Sequence, residues 1–587
     1  MLNKTNKTNK AETNIKRRDF LKLAAGSTAL TFLHSKTQIF AQKHTSIGKL
    51  AGLSKFTEQL PIPPKINATG GGTFNLPLAA SAHSFHSSLP AAETWGYGGA
   101  SYLGPTFEVR RGVPISVLAS NHLGQHPLDF AIDTNLHGAL ASDAYNPRVS
   151  VHLHGGNTEE QSDGHPDDTF LPGSYKLYNY ANDQEAATLW YHDHALGITR
   201  LNVYAGLAGF YLMRDDFDTG LADNLLGLPA GQYEIPIAIQ DKMFDSDGSL
   251  AYPAGEFGSI WAPEFFGDTA VVNGKVFPNL NVDRGLYRFR LLNGSNSRVY
   301  SLRLSSGQQM IQIGGDGGLL NSPVSVGQLI LAPGERADVL IDFSAVKAGT
   351  KIIMTNNAAT PFPDGPRSMR RGGVPLKEIM QFTVGSASGF AGSIPSTLRE
   401  TPIVPLTSPV RIRNLTLVEL MDPVTGAPVK ALLNNLPWHT SSIETPTVDT
   451  VEQWNIINTT GDTHPIHLHL VQFQILGRRK FRVEKFMQAF YPELSNPEYG
   501  GNGPYPAPSA DAFAYGAEKR PDLNESGWKD TVRANPGEIT RIMVPFGANA
   551  APGVPFGKSF TGEYVWHCHI LEHEDHEMML PYRIVEK

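Results

Sequence analysis

From about residue 60 the chain alternates apolar and polar positions in short runs broken by turn signals. In PTFEVRRGVPISVLASNHL (105–123) the alternation continues on both sides of Gly112-Val113-Pro114, which predicts two strands and a turn. VVNGKVFPNLNVDRGLYRFRLLNGSNSRVYSLRL (271–304) repeats the design, with Asn273-Gly274 marking a hairpin and YRFRLLN a period-two strand. A third copy runs from residue 432 to 476 (LLNNLPWHTSSIETPTVDTVEQWNIINTTGDTHPIHLHLVQFQIL). Each copy reads strand, turn, alternating strand, Asn-rich turn, strand. A repeat of that length is a domain rather than a solenoid unit. The pattern predicts an all-β chain of three β-sandwich domains, near 55–225, 226–388 and 400–587, with 389–408 as the crossing linker. Where the third copy reads THPIHLHL the second reads SRVYSLRL, without histidine. The middle domain is therefore expected to be a spacer or a wall.

Composition narrows this picture. The 587 residues include 57 Gly and 42 Pro, which suits strands and long loops, and a single Cys, which excludes an internal disulfide framework and every CxxC metal site. The longest Pro/Gly/Tyr-rich excursion, residues 487–527, is long enough to expect a function, and framing a donor cleft is the expected one. At the start, IKRRDFLKLAAGSTALTFL sets Arg17-Arg18 before a modest apolar run. It resembles the RRxFLK pattern of a twin-arginine export signal. Residues 1–41 are expected to be a leader read by the twin-arginine translocation machinery, and the chain behind it periplasmic or secreted. That segment carries eight Lys/Arg and two Asp/Glu, so without it the formal charge goes from −7 to −13. An acidic chain gives no case for nucleic acid or an anionic membrane surface. No later segment is apolar enough to span a bilayer.

Four His-x-His pairs stand out: His152/His154, His192/His194, His467/His469 and His567/His569. Twenty histidines placed at random would give fewer than one. On a strand, residues i and i+2 share a face, so each pair presents two imidazoles side by side. Two pairs come from the first domain and two from the third, which predicts convergence at an interdomain cleft. One Zn²⁺ saturates at about four ligands, so eight imidazoles imply a cluster of two or three ions. The lone Cys568 lies between His567 and His569 and by parity faces away from both. His464, three residues before His467, likewise faces away from His467 and His469. His464, Cys568 and His573 with Met578 as axial ligand make the His₂Cys-plus-weak-Met set of a blue copper centre. An electron arriving there leaves through Cys568 to His567 or His569. That layout matches one-electron donors to the four-electron reduction of O2. Asp163 and Glu574 are the candidate proton-relay acids. A pure electron carrier has no use for eight paired histidines, and a zinc hydrolase none for Cys568 and Met578.

With these motifs, and with WYHDHALGITRLNVYAGLAGFY, LAPGERADVLIDF and YVWHCHILEHEDHEMM, the chain after the leader resembles the three-domain multicopper oxidases, in particular bacterial spore-coat-type laccases that also oxidise bilirubin. The resemblance implies cupredoxin-like Greek-key domains and four copper ions. His152 and His467 would hold type 2 copper, and His154, His192, His194, His469, His567 and His569 the type 3 pair. His464, Cys568, His573 and Met578 would hold type 1 copper, with Asp163 and Glu574 as the catalytic acids. It also implies O2 and small phenolic or aromatic-amine reductants as the partners of a monomer, with bilirubin, o-aminophenol or cuprous oxidation as alternatives. Only 12 methionines occur, with no dense run, which makes cuprous oxidation the weaker expectation.

Overall fold

The computed structural model describes residues 53–253, 261–367, 373–422, 428–491 and 503–587. The expected leader, 1–41, lies outside the described residues, as do residues 492–502 of the 487–527 excursion. Six sheets pair into three sandwiches. In the first, the order Lys65–Asn67, Thr106–Arg110, Ala208–Arg214, Thr188–Asp193, Val151–His154 faces a four-stranded sheet of Ala92–Tyr97, Gly72–His83, Ile115–His122 and Tyr175–Tyr180. Leu78, Trp95, Val109, Val151 and Leu189 fill the space between them. In the third, Pro428–Leu433, Arg411–Met421, Val451–Asn458, Glu538–Pro545 and Gln474–Lys480 face Thr531–Ala534, His464–Leu468, Gly562–Cys568 and Met579–Ile584. Trp454, Ile466, Trp566 and Tyr582 are buried there.

The alternating segments form strands where the sequence pattern puts them. Asn273 and Gly274 both take positive φ, 48° and 83°, and close the hairpin in which Val272 faces Lys275. Alternation usually leaves one face of a strand in water. In Leu286–Asn293 both faces are buried. Arg288 donates to Asp218 and Asp338, and Arg290 to Glu234, which also takes Arg214. The polar face of the middle sandwich is thus an ion-paired joint with the first. Among the described residues, no helix is long and apolar enough to cross a membrane. The Thr199–Ala205 helix is capped across a joint: Asp575, from the far end of the chain, accepts the backbone N–H groups of Thr199 and Arg200, each at 3.0 Å.

Candidate metal centre

Register brings the paired histidines together. Val151–His154 runs antiparallel to Thr188–Asp193 with His152 opposite His192. His464–Leu468 runs antiparallel to Gly562–Cys568 with His467 opposite His567 and Ile466 opposite Cys568. His194, His469 and His569 follow just beyond the strand ends, and all eight rings are buried. Their nitrogens gather in three overlapping sets, His152/His467/His469, His152/His154/His192 and His194/His469/His567, each within 4.8 Å. His569 lies with its ring 5.1 Å from that of His154 and 5.3 Å from that of His192.

The hydrogen bonds say which nitrogen faces inward. Nδ1 of His152 meets the Asp163 carbonyl at 2.6 Å, Nδ1 of His192 the Asp193 carbonyl at 2.8 Å, and Nδ1 of His467 the Asp530 carbonyl at 2.9 Å. A carbonyl only accepts, so each Nδ1 carries the proton and each Nε2 offers a lone pair. Those three Nε2 atoms are buried without partners. His154 is turned the other way: its Nε2 meets Asp530 Oδ1 at 3.0 Å and its buried Nδ1 is bare. Nε2 of both His194 and His469 lies 3.3 Å from Nε2 of His567. Burial holds these rings neutral: His192 is pushed down to about 3, and His152, His154, His194, His469 and His569 well below the ordinary range. An unsatisfied buried acceptor costs about 1–3 kcal/mol. Several converging ones fit metal ions and little else.

Two acids border this cluster. Asp163 accepts from His469 Nδ1 at 2.7 Å, leaves its other oxygen bare, and is pushed up to about 8 by burial, against a small downward pull from Lys176. Glu574 places its oxygens 3.3 Å from His194 Nδ1 and 3.1 Å from His567 Nδ1.

On the opposite face of the same two strands, Cys568 Sγ lies 3.4 Å from His464 Nδ1 and 3.9 Å from His573 Nδ1, and the two nitrogens are 3.3 Å apart. Met578 is buried in the same apolar cluster, and its carbonyl accepts the Cys568 N–H at 2.9 Å. Burial pushes the Cys568 thiol well up, with only the Ile570 N–H favouring the anion. A thiolate here therefore needs a cation beside it. Burial takes His464 down to about 3, and Thr460 Oγ1 holds its outer nitrogen at 2.6 Å.

The sequence pattern did not single out Asp530, which contacts His154 and His467 at once, Arg336, which grips Asp530, or Thr460. A second group, Glu264, Glu419 and Asp462, half-buried, rims the outer side of His464, with Glu419 3.5 Å from its Nε2. Burial raises all three, Glu419 to about 8 and Asp462 to about 7; Asp462 then repels Glu264 and Glu419, while Asp462 itself is repelled by Asp364. In the described part of the 487–527 excursion, Gly503 N–H donates to the Asn435 carbonyl and the Tyr505 hydroxyl to the Ile443 carbonyl, Arg541 holds Asp511 and Glu518, and Arg478 and Arg533 hold Glu525. The backbone beside His464 is tied instead to 358–366, where Thr463 N–H donates to the Phe362 carbonyl at 2.9 Å.

Three family models described as multicopper oxidase match residues 143–217, 252–365 and 412–587. The chain is 39% identical to a laccase of Bacillus subtilis over 91% of its own length and 99% of the relative's. It is 35% identical to the multicopper oxidase LPR2 of Arabidopsis thaliana, over 85% and 86%. Among solved structures it is similar to the McoA multicopper oxidase of the hyperthermophile Aquifex aeolicus, with TM-score 0.69 and 27% identity, over 91% of this chain and 100% of that one. With the cupredoxin sandwiches, two sets of buried metal-ready nitrogens and these matches together, the chain belongs to the multicopper oxidase family and is an oxidoreductase of the laccase type that works with O2.

Proposed function

We propose that the protein takes electrons one at a time from small phenolic or aromatic-amine donors at His464, Cys568, His573 and Met578 and reduces O2 to water at the eight-histidine cluster. One observation carries this reading. Cys568 lies between His567 and His569 in sequence, yet its sulfur faces His464 and His573 while the two flanking rings face the cluster. Four copper ions, one at the sulfur and three among the eight histidines, would supply the one-electron couple and the binding of O2. The protein's own part is to keep the rings aimed, and to carry the electron over the short covalent path from Sγ through the Cys568 backbone. The balance is four donors, each losing one electron, with four protons and one O2 giving two waters. Asp163 and the Glu574 carboxylate, beside His469, His194 and His567, are the groups to deliver those protons. Bilirubin, a larger aromatic donor, falls within the same class. Oxygen uptake against donor oxidised tests the reading: one O2 per four one-electron donors without released peroxide is expected, and accumulating peroxide contradicts it.

A second donor class is favoured by the Glu264/Glu419/Asp462 rim. Carboxyl groups raised by burial and by acidic neighbours would gain from a positive charge among them, which suits a reduced metal cation delivering its electron to His464. The double variant Glu264→Gln/Asp462→Asn separates the classes: a loss of kcat/KM for ferrous or cuprous ion with the methoxyphenol value unchanged supports the cation, and equal losses speak against it. We also read Arg17-Arg18 and the run behind them as a twin-arginine leader that exports a folded monomer to the periplasm or beyond.

A further inference from the structure

The Leu329–Leu331 and Arg336–Asp342 strands of the middle sandwich are joined by Ala332-Pro333-Gly334-Glu335. This turn leaves its own sandwich and ends among the metal-centre histidines. Gly334, at φ +80°, lies so close to His569 that a Cβ there would meet the ring at 2.8 Å. Beside it the buried Arg336 donates from Nη1 to Asp530 Oδ1 at 2.8 Å and from Nη2 to Asp530 Oδ2 at 2.5 Å. Its Nε donates to the Thr188 carbonyl of the first sandwich at 2.9 Å, and Nη1 also to its own Gly334 carbonyl at 2.9 Å. Asp530 in turn meets His154 through Oδ1 and His467 through its carbonyl. One guanidinium therefore ties together all three sandwiches, at the point where ligands from two of them meet.

We propose that Arg336, from the sandwich that supplies no metal ligand, is a positioning residue for the histidine cluster. Its fork fixes the Asp530 carboxylate, so that His154 and His467 keep their bare nitrogens turned inward. The middle sandwich is then part of the site's frame as well as a wall. A planar two-point grip on a carboxylate is what arginine provides and lysine, a single point charge, does not. Asp316 braces the arginine: it accepts the Arg336 N–H at 2.8 Å and is itself paired with Lys529. This inference rests on the copper-oxidase reading above.

The test is copper content after dialysis against a chelator, read together with the blue absorbance of the Cys568 site and the melting temperature. Wild type, Arg336→Lys, Arg336→Met, Asp530→Asn and the double variant Arg336→Met/Asp530→Asn are compared. Outer partners of metal ligands typically account for about 10–100-fold in affinity. Arg336→Met is expected to lose cluster copper by that factor while the blue absorbance stays. Asp530→Asn should reproduce the loss, and the double variant should be no worse than either single one. Should Arg336→Met fail to fold, Arg336→Lys, with the charge kept and the fork removed, is expected to show the selective loss. Cluster copper retained as in wild type with only a lower melting temperature overturns the proposal, as does a parallel loss of blue and cluster copper. A wild-type chain that takes up no copper overturns the oxidase reading itself.

Discussion

Cys568→Ser exchanges one buried atom, and the chemistry of the donor site hangs on it. The softer sulfur is what selects copper over harder ions, while a serine hydroxyl, far less acidic, leaves His464 and His573 without an anionic partner. The variant is expected to lose the intense blue absorbance and donor oxidation while keeping copper at the eight histidines, whose rings face the other way. Visible spectroscopy with metal analysis checks this. The eight paired histidines and Cys568 were legible as candidates because the strand period is two: His-x-His gives a shared face and the intervening cysteine the opposite one, whereas His573, on the Leu571–Glu574 helix, and Met578 rested on their spacing from Cys568. Their supports were not legible. Asp530 meets His154 from 376 residues away, and Arg336 reaches Asp530 from another sandwich, so no local spacing announces either.

At the scale of elements, alternation foretold strands well and their surroundings less well. The Asn273-Gly274 hairpin and the two runs either side of Gly112-Val113-Pro114 lie where the pattern puts them, because turn chemistry is local. The polar positions of Leu286–Asn293 look like a wet face in sequence and are a buried joint in the fold. Whether arginines meet solvent or acids depends on which sandwich packs on them. That joint is expected to be costly to break. Glu234→Leu leaves Arg214 and Arg290 short of a buried partner, and a destabilisation of about 3–5 kcal/mol follows. Denaturant unfolding monitored by tryptophan fluorescence measures it, and a change below about 1 kcal/mol would show that the network contributes little.

For the whole molecule, the same joints set the response to acid. Burial alone would raise Asp218, Glu234 and Glu525, yet Arg288, Arg214 and Arg533 outweigh it and hold all three below the usual carboxylate range. Carboxylates depressed in the folded state stabilise it above their unfolded value of about 4, and that contribution is lost as pH falls toward the folded values. Between neutrality and about pH 5 the raised Asp163, Glu419 and Asp462 and the depressed buried histidines pull in opposite directions, and below about pH 4 these ion pairs should bring the melting temperature down steeply. A thermal series from pH 5 to pH 3 decides, and a melting temperature that holds or rises below about pH 4 contradicts it.

Both candidate metal sites draw on Gly562–Cys568 and the residues just after it, through His567, Cys568, His569, His573 and Met578. A growing chain on the ribosome emerges from its N-terminus, so the first two sandwiches are out and folding while neither metal site has its final wall. A product that stops before His567 lacks residues of both candidate sites, however well the first two sandwiches fold.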